Sequence, residues 1–193
     1  DTIANTVYDG EKQKKETNTV DAAKKAEKVK KVDETEKTIQ KEITVYSPIN
    51  GTALPIEKVP DEGFAAKMMG DGMGIDPADG SVVSPVDAQV SFVFPSKHAM
   101  GLTLEDGTEM LLHFGIDTVE LDGEGFEVLV QAGDPVKVGD PLMHIDVDAI
   151  RDKVPSLVTP VLVTDMEENM EIIPIATGAV HQKDALYTLR IYA

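Results

Sequence analysis

From Ile43 onward the sequence predicts an all-β domain, a sandwich or a barrel, on three observations. Short β-prone runs recur, such as Ile43-Thr-Val-Tyr46, Gln89-Val-Ser-Phe-Val-Phe94, Met110-Leu-Leu-His-Phe114 and Ala185-Leu-Tyr-Thr-Leu-Arg-Ile191. Gly, Pro and Asp punctuate them at short intervals, as turns between strands require. A faint internal repeat sets Ser47-Pro-Ile-Asn-Gly-Thr-Ala-Leu54 against Ser84-Pro-Val-Asp-Ala-Gln-Val-Ser91, offset by 37 positions, which predicts two similar β units packed face to face.

The elements follow in chain order. Residues 1–42 are rich in Lys, Glu, Thr and Ala and poor in large apolar residues, as in Asp21-Ala-Ala-Lys-Lys-Ala-Glu-Lys-Val-Lys-Lys31. Such a segment cannot bury enough surface to offset its ordering entropy, so a disordered or partly helical charged linker is expected there. The β domain is expected over 43–193. Within it, Gly72 and Gly74 resemble the start of a dinucleotide loop, but Ile75 follows and no strand-then-helix context surrounds them. They are expected to be tight turns rather than phosphate cradles, so ATP is not expected as a direct phosphate source. Asp106-Gly107 lies between two β-prone runs and signals a two-residue hairpin. Gly133-Asp-Pro-Val-Lys-Val-Gly-Asp-Pro-Leu142 has the shape of the carrier hairpin of biotinyl and lipoyl domains but lacks their turn lysine, leaving a structural hairpin. Only Leu142–Val154 offers a brief helical turn, around Asp148-Ala-Ile-Arg-Asp-Lys153.

Composition excludes several function classes. With 193 residues and 41% hydrophobic content the chain can build one core with room for an appendage. There is no Cys, hence no disulfide, thiol nucleophile or thiolate metal site. No run reaches the roughly 18 apolar residues of a membrane span, and no signal peptide opens the chain. Residue 1 is Asp rather than Met, as expected of a piece of something longer. Residues 1–42 carry 10 Lys and 10 Asp or Glu; the remainder carries 8 Lys or Arg against 25 Asp or Glu, so the whole net charge of −17 falls on 43–193. That acidity disfavours nucleic acid and anionic lipid and favours protein partners with a basic face.

The chemistry must come from the four histidines, His98, His113, His144 and His181. If Asp106-Gly107 is the two-residue turn, Met100 faces His113 and His98 faces Gly115, so the two histidines become diagonal neighbours roughly 7–8 Å apart on one face. A slip of one residue would separate them. His144 and His181 have no such partner and are expected to be ordinary side chains. A paired imidazole without Cys or a triad leaves three chemistries: a metal site lacking its third ligand, general acid–base catalysis, or acceptance of a phosphoryl group on a ring nitrogen with the neighbour donating to the phosphoryl oxygens. The third suits the surroundings, where an apolar rim from Phe94, Met100 and Phe114 would shield a labile phosphohistidine.

Phe94-Pro-Ser-Lys-His-Ala99, His113-Phe-Gly-Ile-Asp-Thr-Val-Glu-Leu121, Gly123-Glu-Gly-Phe126, Val59-Pro-Asp-Glu-Gly-Phe64 and Lys67-Met-Met-Gly-Asp-Gly72 closely resemble the glucose-family IIA component of the bacterial phosphoenolpyruvate-dependent sugar phosphotransferase system. The resemblance runs from about Ile43 to the end and implies an antiparallel β-sandwich of the duplicated hybrid motif type. It implies that His113 accepts a phosphoryl group from the carrier HPr and passes it to a cysteine of a IIB domain, serving a IIC transmembrane sugar permease. His98 matches the second active-site histidine, which stabilises the phosphoryl group without carrying it. Ser96 stands where many members have Thr, keeping the hydroxyl and giving up the stiffer β-branched side chain. Asp61, Phe64, Phe94, Asp117 and Glu120 match the docking face for HPr. No cofactor is required, although His98 and His113 can share zinc with a carboxylate of a bound partner. A cytoplasmic location follows, tethered at the membrane's inner face as the C-terminal part of a permease.

Two alternatives keep the fold. One is a regulatory IIA-like domain, phosphorylated by HPr and fused to a sugar transporter outside the phosphotransferase system. The other is a zinc metallopeptidase of the lysostaphin type, which needs a His-x-His that Phe114 and Gly115 do not supply.

Overall fold

The computed structural model describes residues 36–193, so most of the charged linker expected over 1–42 lies outside the described residues. From Ile39 the β-prone runs pair antiparallel throughout. The strands are β1 (Ile39–Tyr46), β2 (Gly51–Pro55), β3 (Asp71–Pro77), β4 (Ser81–Val83), β5 (Ala88–Val93), β6 (Ala99–Thr103) and β7 (Glu109–His113), then β8 (Phe126–Val128), β9 (Pro135–Val136), β10 (Pro141–Ile145), β11 (Thr159–Val163), β12 (Met170–Pro174), β13 (Gly178–Val180) and β14 (Ala185–Tyr192). The first strand begins four residues before the change of texture at Ile43, because Ile39 to Glu42 pair with the end of β14 although their side chains are exposed.

One sheet has eight strands in the order β13-β2-β3-β11-β7-β6-β5-β9; two three-stranded sheets, β1-β14-β12 and β4-β10-β8, complete the sandwich. The order is that of a duplication: exchanging β1, β2, β3, β11, β12, β13 and β14 for β4 to β10 in sequence maps the arrangement onto itself. The second copy, β4 to β10, is inserted between β3 and β11 of the first. The faint repeat marks the same corner in each copy. Ser47 Oγ donates to the Ile49 carbonyl at 2.8 Å and Ser84 Oγ to the Val86 carbonyl at 2.7 Å, and both serines are fully buried. Ser47 N–H then bonds to the Asp184 carbonyl, and Ser84 N–H to that of Asp140.

The main core draws on all three sheets, with Val45 of β1, Tyr187 and Leu189 of β14, Val82 of β4 and Leu142 of β10 meeting Met73, Val90, Met100, Leu112 and Val161 of the large sheet. Because side chains alternate across a strand, Ala99, Leu111 and Leu162 point to the other face. There they join Ile56, Val59, Phe64, Ile116 and Val158 in a second apolar cluster. Burial on both faces explains why β7 reads as a continuous apolar run rather than an alternating one. The second cluster is capped by a turn the sequence did not announce. A 3₁₀ turn at Ile56–Lys58 leads into α1 (Glu62–Ala65), started by Asp61, whose carboxylate accepts the Phe64 N–H at 3.1 Å. The expected helical turn near Asp148 is present as α2 (Val147–Ile150), continued by a 3₁₀ turn at Arg151–Lys153. Among the described residues no helix is long and apolar enough to cross a membrane.

The β6–β7 hairpin differs from expectation. Leu104 N–H bonds to the Thr108 carbonyl and Gly107 N–H to the Leu104 carbonyl, both at 2.9 Å, with Gly107 at φ 88°. The loop therefore spans Glu105 to Gly107, a type I turn closed by a left-handed glycine. Every pair shifts by one, to Ala99 opposite His113 and Met100 opposite Leu112.

Candidate functional site

That one-residue shift should have parted the two histidines, yet their ring centroids lie 5.2 Å apart, edge to face at 75°. The reason is local. Only Ala99 is in the strand; His98 sits in the turn before it, where Lys97 N–H bonds to the Phe94 carbonyl at 2.8 Å and Lys97 takes the left-handed φ of 61°. The turn, not the pleat, aims His98, and it aims it at His113.

The hydrogen bonds define one ring and constrain the other. His113 Nδ1 lies 2.6 Å from the Gly115 carbonyl. A carbonyl only accepts, so Nδ1 carries the proton and Nε2 keeps its lone pair. Gly115 reaches back because its φ is 82°, and a Cβ there would come within 2.7 Å of the Thr118 methyl. Thr118 is itself tied down, its Oγ1 donating to the Phe114 carbonyl at 2.7 Å. His98 Nδ1 meets Ser96 Oγ at 2.5 Å. With the hydroxyl donating, His98 Nε2 carries a proton free to donate elsewhere.

Aromatic rings enclose the pair. Phe64 lies 5.0 Å from the His113 ring, and Phe94 stacks on His98 at 5.1 Å and 27°. The expected rim is thereby corrected in two members. Met100 and Phe114 point into the main core and are 0% and 1% exposed, Met100 from the inward side of β6 and Phe114 from the residue after β7. Phe64 and Phe92 stand in their place beside Phe94. Phe64 is 5% exposed and walls His113 rather than offering a free surface, whereas Phe94 is 42% exposed. Burial holds the pKa of both histidines below the ordinary range. For His113 the neighbouring His98 acts in the same direction, while the Gly115 carbonyl and the carboxylates of Asp61 and Asp117 pull the other way. Asp117, at φ 57°, precedes a 3₁₀ turn over Thr118–Leu121 that leaves Glu120 and Val119 exposed. His144 and His181 are both exposed, and neither is among the rings in contact with this pair.

Gly115, Phe92 and the positive φ of Lys97 were not anticipated as site features. A glycine two residues after a strand-end histidine was the available signal for the first; an isolated glycine inside a strand, Gly101, was the signal for the second.

A family model described as the phosphoenolpyruvate-dependent sugar phosphotransferase system, EIIA 1, matches residues 43–169. The chain belongs to that family. This EIIA chain is 48% identical over 136 residues to the glucose-specific EIIA component of Staphylococcus epidermidis, a match covering 70% of this chain and 82% of the relative. The same figures hold for the glucose-specific EIIA component of Staphylococcus aureus. Among solved structures, the glucose permease IIA from Mycoplasma capricolum superposes with a TM-score of 0.71 at 37% identity, over 77% of this chain and 96% of that one. EIIA proteins are phosphotransfer components of the system, and the sandwich with its duplicated halves is the fold they share.

Proposed function

We propose that His113 is the phosphoryl acceptor of this EIIA chain. Its Nε2 attacks the phosphorus of phospho-HPr, the N–P bond on the carrier breaks as the new N–P bond forms, and the carrier imidazole recovers its electron pair. In the second step a cysteine thiolate of a IIB domain attacks the same phosphorus and His113 leaves as a neutral imidazole. The observation that carries the reading is the bond from His113 Nδ1 to the Gly115 carbonyl, which leaves Nε2 as the nucleophile beside a second imidazole. Little covalent assistance is needed beyond position and charge stabilisation, since phosphoryl transfer is dominated by both. His98 supplies the stabilisation through its Nε2 proton, oriented by Ser96.

The exposed part of the ring wall, Phe94, together with Asp61, Asp117 and Glu120, forms the face for a basic-rimmed HPr. Membership in the system supports acceptance by IIB, coupling to a IIC permease in the membrane and a cytoplasmic setting. Glucose, named for the relatives, is the sugar we assign to the pathway; the permease reads it, not this domain. The two imidazoles offer two nitrogen donors, and among the described residues no cluster of three or more His, Cys, Asp or Glu is arranged to hold a metal. A shared zinc would therefore take its remaining ligands from a partner. Nothing observed favours the regulatory-domain alternative.

The test is intact-protein mass spectrometry at alkaline pH after incubation with phosphoenolpyruvate, enzyme I and HPr. One phosphoryl group on the wild type, lost in His113→Gln and kept in His98→Gln, supports the reading. A folded wild-type domain with no added mass overturns it.

A further inference from the structure

We propose that Phe92 is a positioning residue for transfer at His113, seated on Gly101 by a bulge in β5 so that it clamps Phe94 across His98. This rests on the phosphocarrier reading above, and it concerns a residue outside the histidine motifs.

The bulge comes first. Val90 pairs with Leu102 and Val93 with Met100, but between them only Gly101 faces both Ser91 and Phe92. Two residues against one leaves the ladder locally broken and turns an extra side chain to the same face. Without it, Phe92 would follow the alternation of Val90 into the core; with it, Phe92 lies on the side of the histidines. The copy that lacks the His98–His113 pair has no such irregularity in its equivalent strands. There β2 and β3 pair one to one from Gly51 with Pro77 to Pro55 with Met73. Of these two equivalent strand pairs only the one in the half that carries the site is bulged, and bulges commonly re-aim a side chain.

Gly101 then provides the seat. A Cβ on Gly101 would lie 2.2 Å from Cε1 of Phe92, so the ring occupies the space that any other residue's side chain would need. From this seat Phe92 meets Phe94 edge to face, at 5.3 Å and 77°. Phe94 stacks on His98, and His98 meets His113. Four rings thus run in sequence from the bulge to the acceptor, and Phe64 closes the far side of His113. The consequence is orientational. The torsion that turns an imidazole about its last bond is broad and roughly two-fold, so the hydrogen bond from Ser96 holds one edge of His98 but leaves the ring room to rock about it. A stacked ring that is itself held at its edge removes that freedom and keeps the Nε2 proton aimed at the acceptor. Phe92 is 41% exposed, so a bare contact with the incoming donor is the competing role.

The two roles separate kinetically. A contact residue alters KM for phospho-HPr, whereas a positioning residue alters the maximal rate. Rapid-quench transfer from phospho-HPr should show the maximal rate falling about three- to tenfold in Phe92→Ala, the worth of an aromatic pair, with KM little changed. Gly101→Ala keeps Phe92 but displaces its ring, and is expected to lose the same factor. The double variant should fall no further than either single one, because both remove one clamp. Phe92→Tyr should retain the wild-type rate, and Phe92→Leu serves if Phe92→Ala does not fold. The ¹⁵N resonances of His98 in the unphosphorylated protein give a readout that needs no transfer, and in both single variants they should move toward the values of a freely rotating imidazole. A rise in KM alone, additive losses in the double variant, or unmoved His98 resonances would each overturn the clamp. A wild type that accepts no phosphoryl group overturns the phosphocarrier reading, and the His98 resonances then decide the clamp by themselves.

Discussion

The Nδ1–H of His113 donates to the carbonyl of Gly115 at 2.6 Å, two residues further along the same chain. In the proposed transfer this pairing makes the choice of attacking nitrogen a matter of backbone conformation, because a left-handed Gly115 turns its carbonyl back toward the ring. Phosphorylation is therefore expected on Nε2 alone. Long-range ¹H–¹⁵N correlation spectra of the phosphorylated protein check this, and phosphate on Nδ1 would refute the assignment.

Gly115→Ala is expected to cost about 1–2 kcal/mol from the left-handed backbone alone, with more from the contact against Thr118. Urea unfolding measures that loss. The transfer rate should fall by a larger factor than the unfolded fraction accounts for, since the displaced carbonyl no longer fixes the tautomer.

Ser96→Ala removes the hydroxyl partner of His98 Nδ1. The transfer rate should drop by about three- to tenfold, the usual net worth of one hydrogen bond. Ser96→Thr keeps the hydroxyl and should stay within about twofold of the wild type. A Ser96→Ala rate equal to the wild type would show that the rings alone orient His98.

The pH dependence follows from the direction of the histidine shifts. Both pKa values lie below the ordinary 6.5, so both imidazoles are neutral at neutral pH. In the proposed transfer the neutral ring is the nucleophile. Acceptance by His113 is therefore expected to stay level from alkaline pH down through the ordinary histidine range and to fall only below it. The same sign holds for stability. The unfolded state takes up protons at a higher pH than the folded one, so stability is greatest above the unfolded histidine pKa and declines as pH falls toward the lowered folded values. Single-turnover rates and melting temperatures across pH test the two halves separately, and a rate that already declines above pH 6.5 would contradict the first.

The duplication predicts a matched pair of variants. Ser47→Ala and Ser84→Ala each strip a buried hydroxyl from the same corner and leave a carbonyl short of its partner. Each is expected to cost about 1–3 kcal/mol, with similar values at both positions and transfer from phospho-HPr unaffected in the folded protein. Chemical denaturation provides the comparison.

Much of this fold was legible in the sequence, and the limits have physical causes. The β class, the turn near Asp148 and the repeat at Ser47 and Ser84 all follow from local patterns, where side-chain preference and backbone shape agree. The hairpin register did not, because Asp106-Gly107 is compatible with a two-residue turn and with a three-residue loop ending in a left-handed glycine, and only tertiary packing chooses between them. His98 and His113 were correctly expected to meet, but through a pleat argument that the structure replaces with the turn at Lys97. Met100 was placed on the wrong face for the same reason, since one residue of register exchanges core for surface, whereas Phe114, next to His113 in the chain, faces away from it in any register. Phe92 was invisible because a bulge reverses alternation without changing residue type.

The insertion of β4 to β10 between β3 and β11 has a consequence for biosynthesis. The inner copy is continuous in the chain and emerges from the ribosome whole, so the half that bears His98 and His113 can begin to collapse while its counterpart is still incomplete. The outer copy cannot close until β14 arrives to pair with β1, the first described strand with the last. Contacts of such long sequence separation form late and slowly. Nascent chains in which Ile145 has just cleared the ribosome would thus present a nearly finished histidine-bearing half beside an unpaired β1, a strand edge left open for as long as delivery of the last strands takes.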